Sequence, residues 1–125
     1  MEHHDYINEL NNMIYDTERK NHLEKYYESY DDYPDENGRT TLHHLILNYS
    51  LDLIKILIKK KVNINILDNY GNTPLHYAFF REDYSLILKL FIKNNAKINI
   101  QNQFGDTPSS LRRDWKKIYI SLNYH

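Results

Sequence analysis

Cysteine is absent from this 125-residue, 15.2 kDa chain, which excludes disulfides and thiolate metal sites. Alanine occurs only at Ala78 and Ala96, tryptophan once, and glycine and proline three times each. Long apolar runs are also missing. Lys55 interrupts even the stretch 51–58, far short of the roughly 18 residues of a membrane span. The Met-Glu-His-His-Asp start lacks the basic opening and apolar core of a secretory signal. A cytosolic location is therefore expected, and the Asn48-Tyr49-Ser50 triplet is not expected to be glycosylated. What is abundant is Asn, Ile, Lys and Tyr, about two-fifths of the chain together, a bias toward AT-rich codons that reports the genome rather than an activity. With 26% charged residues, a mean hydropathy of −0.76 and periodic Leu and Ile, the chain reads as one soluble folded domain.

The net charge of −1 conceals a split. Residues 1–40 carry eleven acidic and four basic side chains, whereas 41–125 carry twelve basic and six acidic. Solvated faces on each half are the plain reading. A basic surface for an anionic partner, or attraction between the halves, is the alternative.

Gly38, Gly71 and Gly105 stand 33 and 34 residues apart, and the text around them recurs. Asp35-Glu36-Asn37-Gly38-Arg39-Thr40-Thr41-Leu42-His43 answers to Asp68-Asn69-Tyr70-Gly71-Asn72-Thr73-Pro74-Leu75-His76, and Asn102-Gln103-Phe104-Gly105-Asp106-Thr107-Pro108-Ser109-Ser110 is a degraded third copy. Each glycine suits a turn that needs positive φ. Thr73 suits an N-cap, and Pro74 suits the first helical position, where its missing N–H costs nothing. A short helix over 74–80 should point Leu75 and Ala78 inward. After a turn at 81–84, a second helix over 85–93 should bury Ile87, Leu88, Phe91 and Ile92. The residue that stretches the period to 34 is placed in that turn. The preceding unit has Leu42, Leu45 and Ile46 in its first helix and Leu53, Ile54, Leu57 and Ile58 in its second.

This pattern resembles the ankyrin repeat over residues 35–108. The resemblance implies an all-α solenoid of stacked helix-turn-helix units with β-hairpin-like loops, each followed by a short Asn-Ile-Asn strand. Repeats are expected over 35–67 and 68–101, a degenerate capping repeat over 102–125, and a helical cap over 1–34. In the cap, Tyr6, Ile7, Leu10 and Ile14, then Leu23, Tyr26, Tyr27 and Tyr30, fall at helical spacing on either side of a polar stretch at 16–19. At the other end Leu111, Trp115, Ile118, Tyr119 and Leu122 form a matching apolar stripe. Against the family pattern, Thr41 replaces proline and Phe79 an alanine. Lys61 and Asn95 replace helix-terminating glycines, and Lys61 there should be strained or end its helix differently.

The resemblance places His43 and His76 in a hydrogen-bond network between repeats. Adjacent His43 and His44 point about 100° apart on a helix and cannot share an ion. No metal, cofactor or catalytic residue is expected: there is no cysteine nucleophile, glycine-rich phosphate loop or Gly-x-Ser-x-Gly. The family binds other proteins through hairpin tips and the concave face of its first helices. Carried to this chain, that surface comprises Arg39, Asn48, Asn69, Tyr70, Asn72, Phe80, Arg81, Gln103, Phe104 and Asp106, beside Glu36, Asn37 and Leu47. Exposed aromatics among Asn and Arg have the composition of an interface hot spot. A monomer that binds another protein is expected, with no membrane partner. Short free-standing proteins of this type are similar to those of large DNA viruses and host-associated bacteria, which act in a host cytoplasm on its signalling. The alternative is an anionic partner such as nucleic acid on a lysine ladder: Lys55, Lys59, Lys60 and Lys61, then Lys89, Lys93 and Lys97, then Arg112, Arg113, Lys116 and Lys117. No aromatic interleaves these lysines, which weighs against single-strand binding.

Overall fold

The computed structural model describes residues 17–21, 34–48 and 50–112. Two helical hairpins form its centre: α1 (Thr41–Asn48) with α2 (Leu51–Lys59), and α3 (Pro74–Ala78) with α4 (Tyr84–Lys93). A 3-10 turn, Ser109–Leu111, follows. The first helices pack against each other, and each packs against the second helix of its own hairpin. Among the described residues there is no strand. The segments 62–66 and 96–100, expected as short strands, run unpaired, and the link between them is a side-chain bond from the Lys97 N–H to Asn65 Oδ1 at 2.9 Å.

Sequence chemistry explains the boundaries. Thr73 caps α3 in extended conformation, Pro74 opens it, and His76 completes a capping box in the place usually held by Glu or Gln. The helix stops at Ala78 rather than Phe80, because the Arg81 N–H closes a turn onto the Ala78 carbonyl at 2.9 Å. The extra residue of the longer period is not in that turn. It lengthens the second helix, ten residues in α4 against nine in α2, and Tyr84 enters the core at the new first position. Residues 17–21, which overlap the polar stretch expected at 16–19 to separate two helices, are themselves helical, in keeping with the good helix formers Glu18, Arg19 and Lys20. Of the apolar residues named for the two caps only Leu111 is among the described ones, and it is half-buried.

The core lies where the two helical periods place it. Leu42, Leu45 and Ile46, Leu53, Ile54, Leu57 and Ile58, Leu75 and Ala78, and Ile87, Leu88 and Phe91 are all buried, each large side chain contributing roughly 1.5–3 kcal/mol. Ile92 is half-buried, while Ile56 and Tyr84 join the core without having been expected there. Phe79 does not force the core apart. It stays half-buried and stacks on Phe80, ring centroids 3.8 Å apart.

Both non-glycine residues at the helix ends take the left-handed conformation, Lys61 at φ 59° and Asn95 at φ 63°. Asn95 sits in a full Schellman ending, with its N–H on the Ile92 carbonyl (3.1 Å) and the Ala96 N–H on the Phe91 carbonyl (2.9 Å). Lys61 adopts the same left-handed conformation, its N–H on the Ile58 carbonyl (3.0 Å), with a side chain that tolerates it less well than Asn. Lys61→Gly should therefore stabilise the protein by about 0.5–1 kcal/mol, the relief of strain less the added unfolded-chain entropy. Asn95→Gly should gain less, and urea unfolding of the two variants checks the order.

Candidate functional site

Three tips lead into the first helices and the final turn, and each is built on one Asx residue. The Asp35 N–H donates to the Arg39 carbonyl (3.0 Å) and the Gly38 N–H to the Asp35 carbonyl (2.9 Å), a tight hairpin loop ending on a left-handed glycine. Asp35 Oδ1 accepts the Asn37 and Arg39 N–H groups, both at 2.9 Å. Asp68 does the same for Tyr70 and Asn72, and Asn102 for Phe104 and Asp106. This is the Asx-turn chemistry that short polar side chains supply.

The tips are tied to one another by backbone. The Asn69 N–H donates to the Asn37 carbonyl (2.9 Å), and the Gln103 N–H to the Tyr70 carbonyl (3.0 Å). A Cβ on Gly38 would lie 2.8 Å from the Asn69 nitrogen, and one on Gly71 would lie 3.1 Å from Asn102 Cα. The glycines thus supply both positive φ and room for the next tip. At Gly105 no described atom stands within 4 Å of that position.

The signature histidines complete the lattice. The Thr73 N–H donates to His76 Nδ1 at 2.9 Å, and His76 Nε2 lies 2.9 Å from the Asp106 carbonyl of the next tip. His43 repeats this with Thr40 (3.1 Å) and the Asn72 carbonyl (3.0 Å). A backbone N–H can only donate and a carbonyl can only accept, so each imidazole is the neutral tautomer with its proton on Nε2.

Within this frame the ten residues singled out from sequence divide. Phe80 and Phe104 are 76% and 70% exposed and Tyr70 is 40% exposed, with Asn48, Asn69 and Gln103 also exposed and Asp106 half-buried. The backbone bonds between tips tie Asn69 to Asn37 in the first tip and Tyr70 to Gln103 in the third. Phe80 and Arg81 lie in the turn that follows α3, whereas Leu47 and Asn48 end α1.

Three others are engaged within the chain. Arg39 donates from Nε and an Nη to the Tyr77 hydroxyl, both at 3.3 Å, and its Nε lies 3.7 Å from the buried Asp68 carboxylate. Asn72 donates to the same hydroxyl (3.2 Å) and accepts from Asn102 (2.9 Å). Arg81 grips both Asp83 oxygens (2.7 and 2.9 Å) and reaches across to the Ile46 carbonyl (3.0 Å). That grip holds the Asp83 carboxyl below its ordinary pKa in spite of partial burial.

Sequence reasoning missed Tyr77, whose hydroxyl joins Arg39, Asn72 and Asp68. Burial, then the bond to Asp68, pushes its phenol pKa upward. It also missed His44, 2.7 Å from Asp35 Oδ2. Burial raises the Asp35 carboxyl, but the Arg39 N–H, the His44 ring and the Asn37 N–H outweigh it and hold the group below its ordinary range. The Asx residues could have been found, since Asp35, Asp68 and Asn102 each stand three positions before a tip glycine.

On the second helices Lys55, Lys59, Lys89 and Lys93 are all exposed. Arg112 of the expected ladder instead bonds the Phe79 carbonyl (3.0 Å) and covers the Tyr84 ring, while Arg113, Lys116 and Lys117 lie outside the described residues. No described helix is long and apolar enough to cross a membrane. Among the described residues no three His, Asp or Glu side chains converge as metal ligands would.

Comparison with known proteins agrees with this architecture. The profile of a family described as ankyrin repeats (3 copies) matches residues 10–102. An ankyrin repeat protein of Acanthamoeba polyphaga mimivirus is 36% identical over 56 residues, 44% of this chain and 14% of its own length. One from Rickettsia felis is 40% identical over 52 residues, 40% of this chain and 17% of the relative. The Drosophila melanogaster tyrosine-protein kinase Shark is 40% identical over 47 residues, 38% of this chain and 5% of the kinase. The matched stretch is thus a small part of each curated relative.

Burial sets His76 below its ordinary pKa, against the opposing pull of the Asp106 carbonyl. A group whose folded pKa is lowered binds fewer protons folded than unfolded. Stability should therefore be full above about pH 6.5 and fall as pH drops below it, by at most about 1.4 kcal/mol per pH unit for one proton. The Asp35 contribution should persist until about pH 4. Urea midpoints between neutral and mildly acidic pH check this, and His76→Gln should flatten the slope.

Proposed function

The chain belongs to the ankyrin-repeat family, and from that premise we propose that it is a non-enzymatic module that binds a partner protein through its tips and the ends of its first helices. Ankyrin repeats are in general protein-interaction modules. The observation that carries the reading is the exposure of three aromatic rings, Tyr70, Phe80 and Phe104, on elements that hydrogen bonds hold in place. Exposed aromatics on a rigid frame lose little freedom on docking and offer large contact area. Asn48, Asn69, Gln103 and Asp106 supply the polar rim. Arg39, Asn72 and Arg81 take part chiefly by holding that rim in place.

The proposal takes 35–67 and 68–101 as the repeats and 102–125 as a degenerate capping repeat. Residues 1–34 serve as an amino-terminal cap, and the family match from residue 10 supports reading that cap as a divergent repeat. With so few units the footprint should not exceed the roughly 800 Å² per partner of a standard interface. Relatives in mimivirus, fowlpox virus and Rickettsia felis support a host-directed role, and we place the action in a host cytoplasm. The exposed lysines of α2 and α4 favour a second reading, an anionic polymer held on that face.

Affinity capture from a eukaryotic lysate at about 0.15 M and about 0.5 M salt separates the two. A discrete protein should be retained at both salts by the native chain and lost by a Tyr70→Asp/Phe104→Asp variant whose melting temperature is unchanged. Nucleic acid that falls away at high salt and ignores the tip changes would overturn the main reading.

A further inference from the structure

The charges of the described fold are sorted by position. Tip residues 34–40, 67–73 and 101–107 hold four carboxylates, Asp35, Glu36, Asp68 and Asp106, and one cation, Arg39, so each tip carries a net charge of −1. The second helices α2 and α4 hold Lys55, Lys59, Lys89 and Lys93 against Asp52 alone. The single tip cation is committed inward, toward the Tyr77 hydroxyl and the buried Asp68 carboxylate. Arg81, in the turn that follows α3, is gripped by Asp83. Glu36 is exposed, and among the described residues its carboxylate meets no cation.

From this arrangement we propose that the partner segment seated on the tips is cationic, an apolar stretch flanked by Lys or Arg. The inference rests on the reading of the tips as a docking surface and adds the chemistry of what docks there. Stacked units repeat at about 10 Å, close to a Debye length at physiological salt, so the three tip charges act together. Their field draws a cationic chain toward the tips, while the lysines of α2 and α4 repel it from the other face. The aromatic rings reinforce the preference. Phe104 and Asp106 flank Gly105, so an exposed ring that attracts cations and a carboxylate belong to one tight turn. No committed cation on this surface is available to receive an acidic partner, whose carboxylates would stand against Glu36 and Asp106.

The test pans a display library of random dodecapeptides against the full chain, a Glu36→Gln/Asp106→Asn variant and a Tyr70→Ala/Phe104→Ala variant. The expected peptides combine apolar residues with Lys or Arg and fail to bind the aromatic variant. Their affinity for the charge variant should be about three- to tenfold weaker at low salt, the gap closing as salt rises. Neutral or acidic peptides that still need Tyr70 and Phe104 would overturn the cationic partner and leave the docking surface standing. Peptides that ignore the aromatic variant, or no enrichment at all, would overturn both. Sedimentation of the native chain supplies the last arm: a dimer abolished by either variant would make the lysine face of a second copy the occupant, against a separate partner.

Discussion

The proton on Nε2 of His76 couples two scales of this structure. Because Nδ1 is occupied by the Thr73 N–H, the imidazole has one proton to give, and it gives it to the backbone of the next tip. Start of helix, height of tip and distance between units are thereby set by one side chain, and His43 repeats the device one unit earlier. The tip carbonyls that receive these bonds belong to loops already closed by Asx residues, so no part of the row is positioned by side-chain packing alone. Apolar burial supplies the stability of the hairpins. The imidazole bonds supply their register.

How far the sequence discloses this depends on the range of the interaction. Gly38, Gly71 and Gly105, Thr73-Pro74 and the Leu/Ile periods are local signals, and they are enough for the helices, the turns and nearly all of the core. The misses are non-local. Arg39 and Arg81 look like surface cations until the fold brings Asp68, Tyr77 and the Ile46 carbonyl to them from other segments. Tyr84 enters the core because the added residue is absorbed by helix rather than turn, a choice no local propensity dictates. Ile56 belongs to neither helical stripe as counted from sequence, yet it is buried with the core. At the candidate site, the exposure of Phe80 and Phe104 was legible because the repeat phase assigns them to surface positions. The internal duties of Asn72 were not, since they depend on Asn102 in the following unit.

The division of charge follows the same architecture. Each tip opens on an Asx residue, which is Asp in the first two and so brings a carboxylate with it; in the third Asn102 takes that place and Asp106 supplies the charge. Second helices have one face on the core and one in water, and here lysine holds four of the water-facing positions, Lys55, Lys59, Lys89 and Lys93, beside Asp52, Ser85 and Leu86. Among the described residues the charge therefore divides between tips and outer helices, a division that the order of charges along the chain does not display.

The crowding at Gly38 and Gly71 has a mechanical meaning. The neighbouring tip already stands where a Cβ on either glycine would have to go, so little room is left for these loops to approach more closely. Flexing of the stack should therefore open the tips more readily than close them. A molecule lying across the row and bridging two tips would resist that opening, and so would stiffen the whole solenoid from a single contact line.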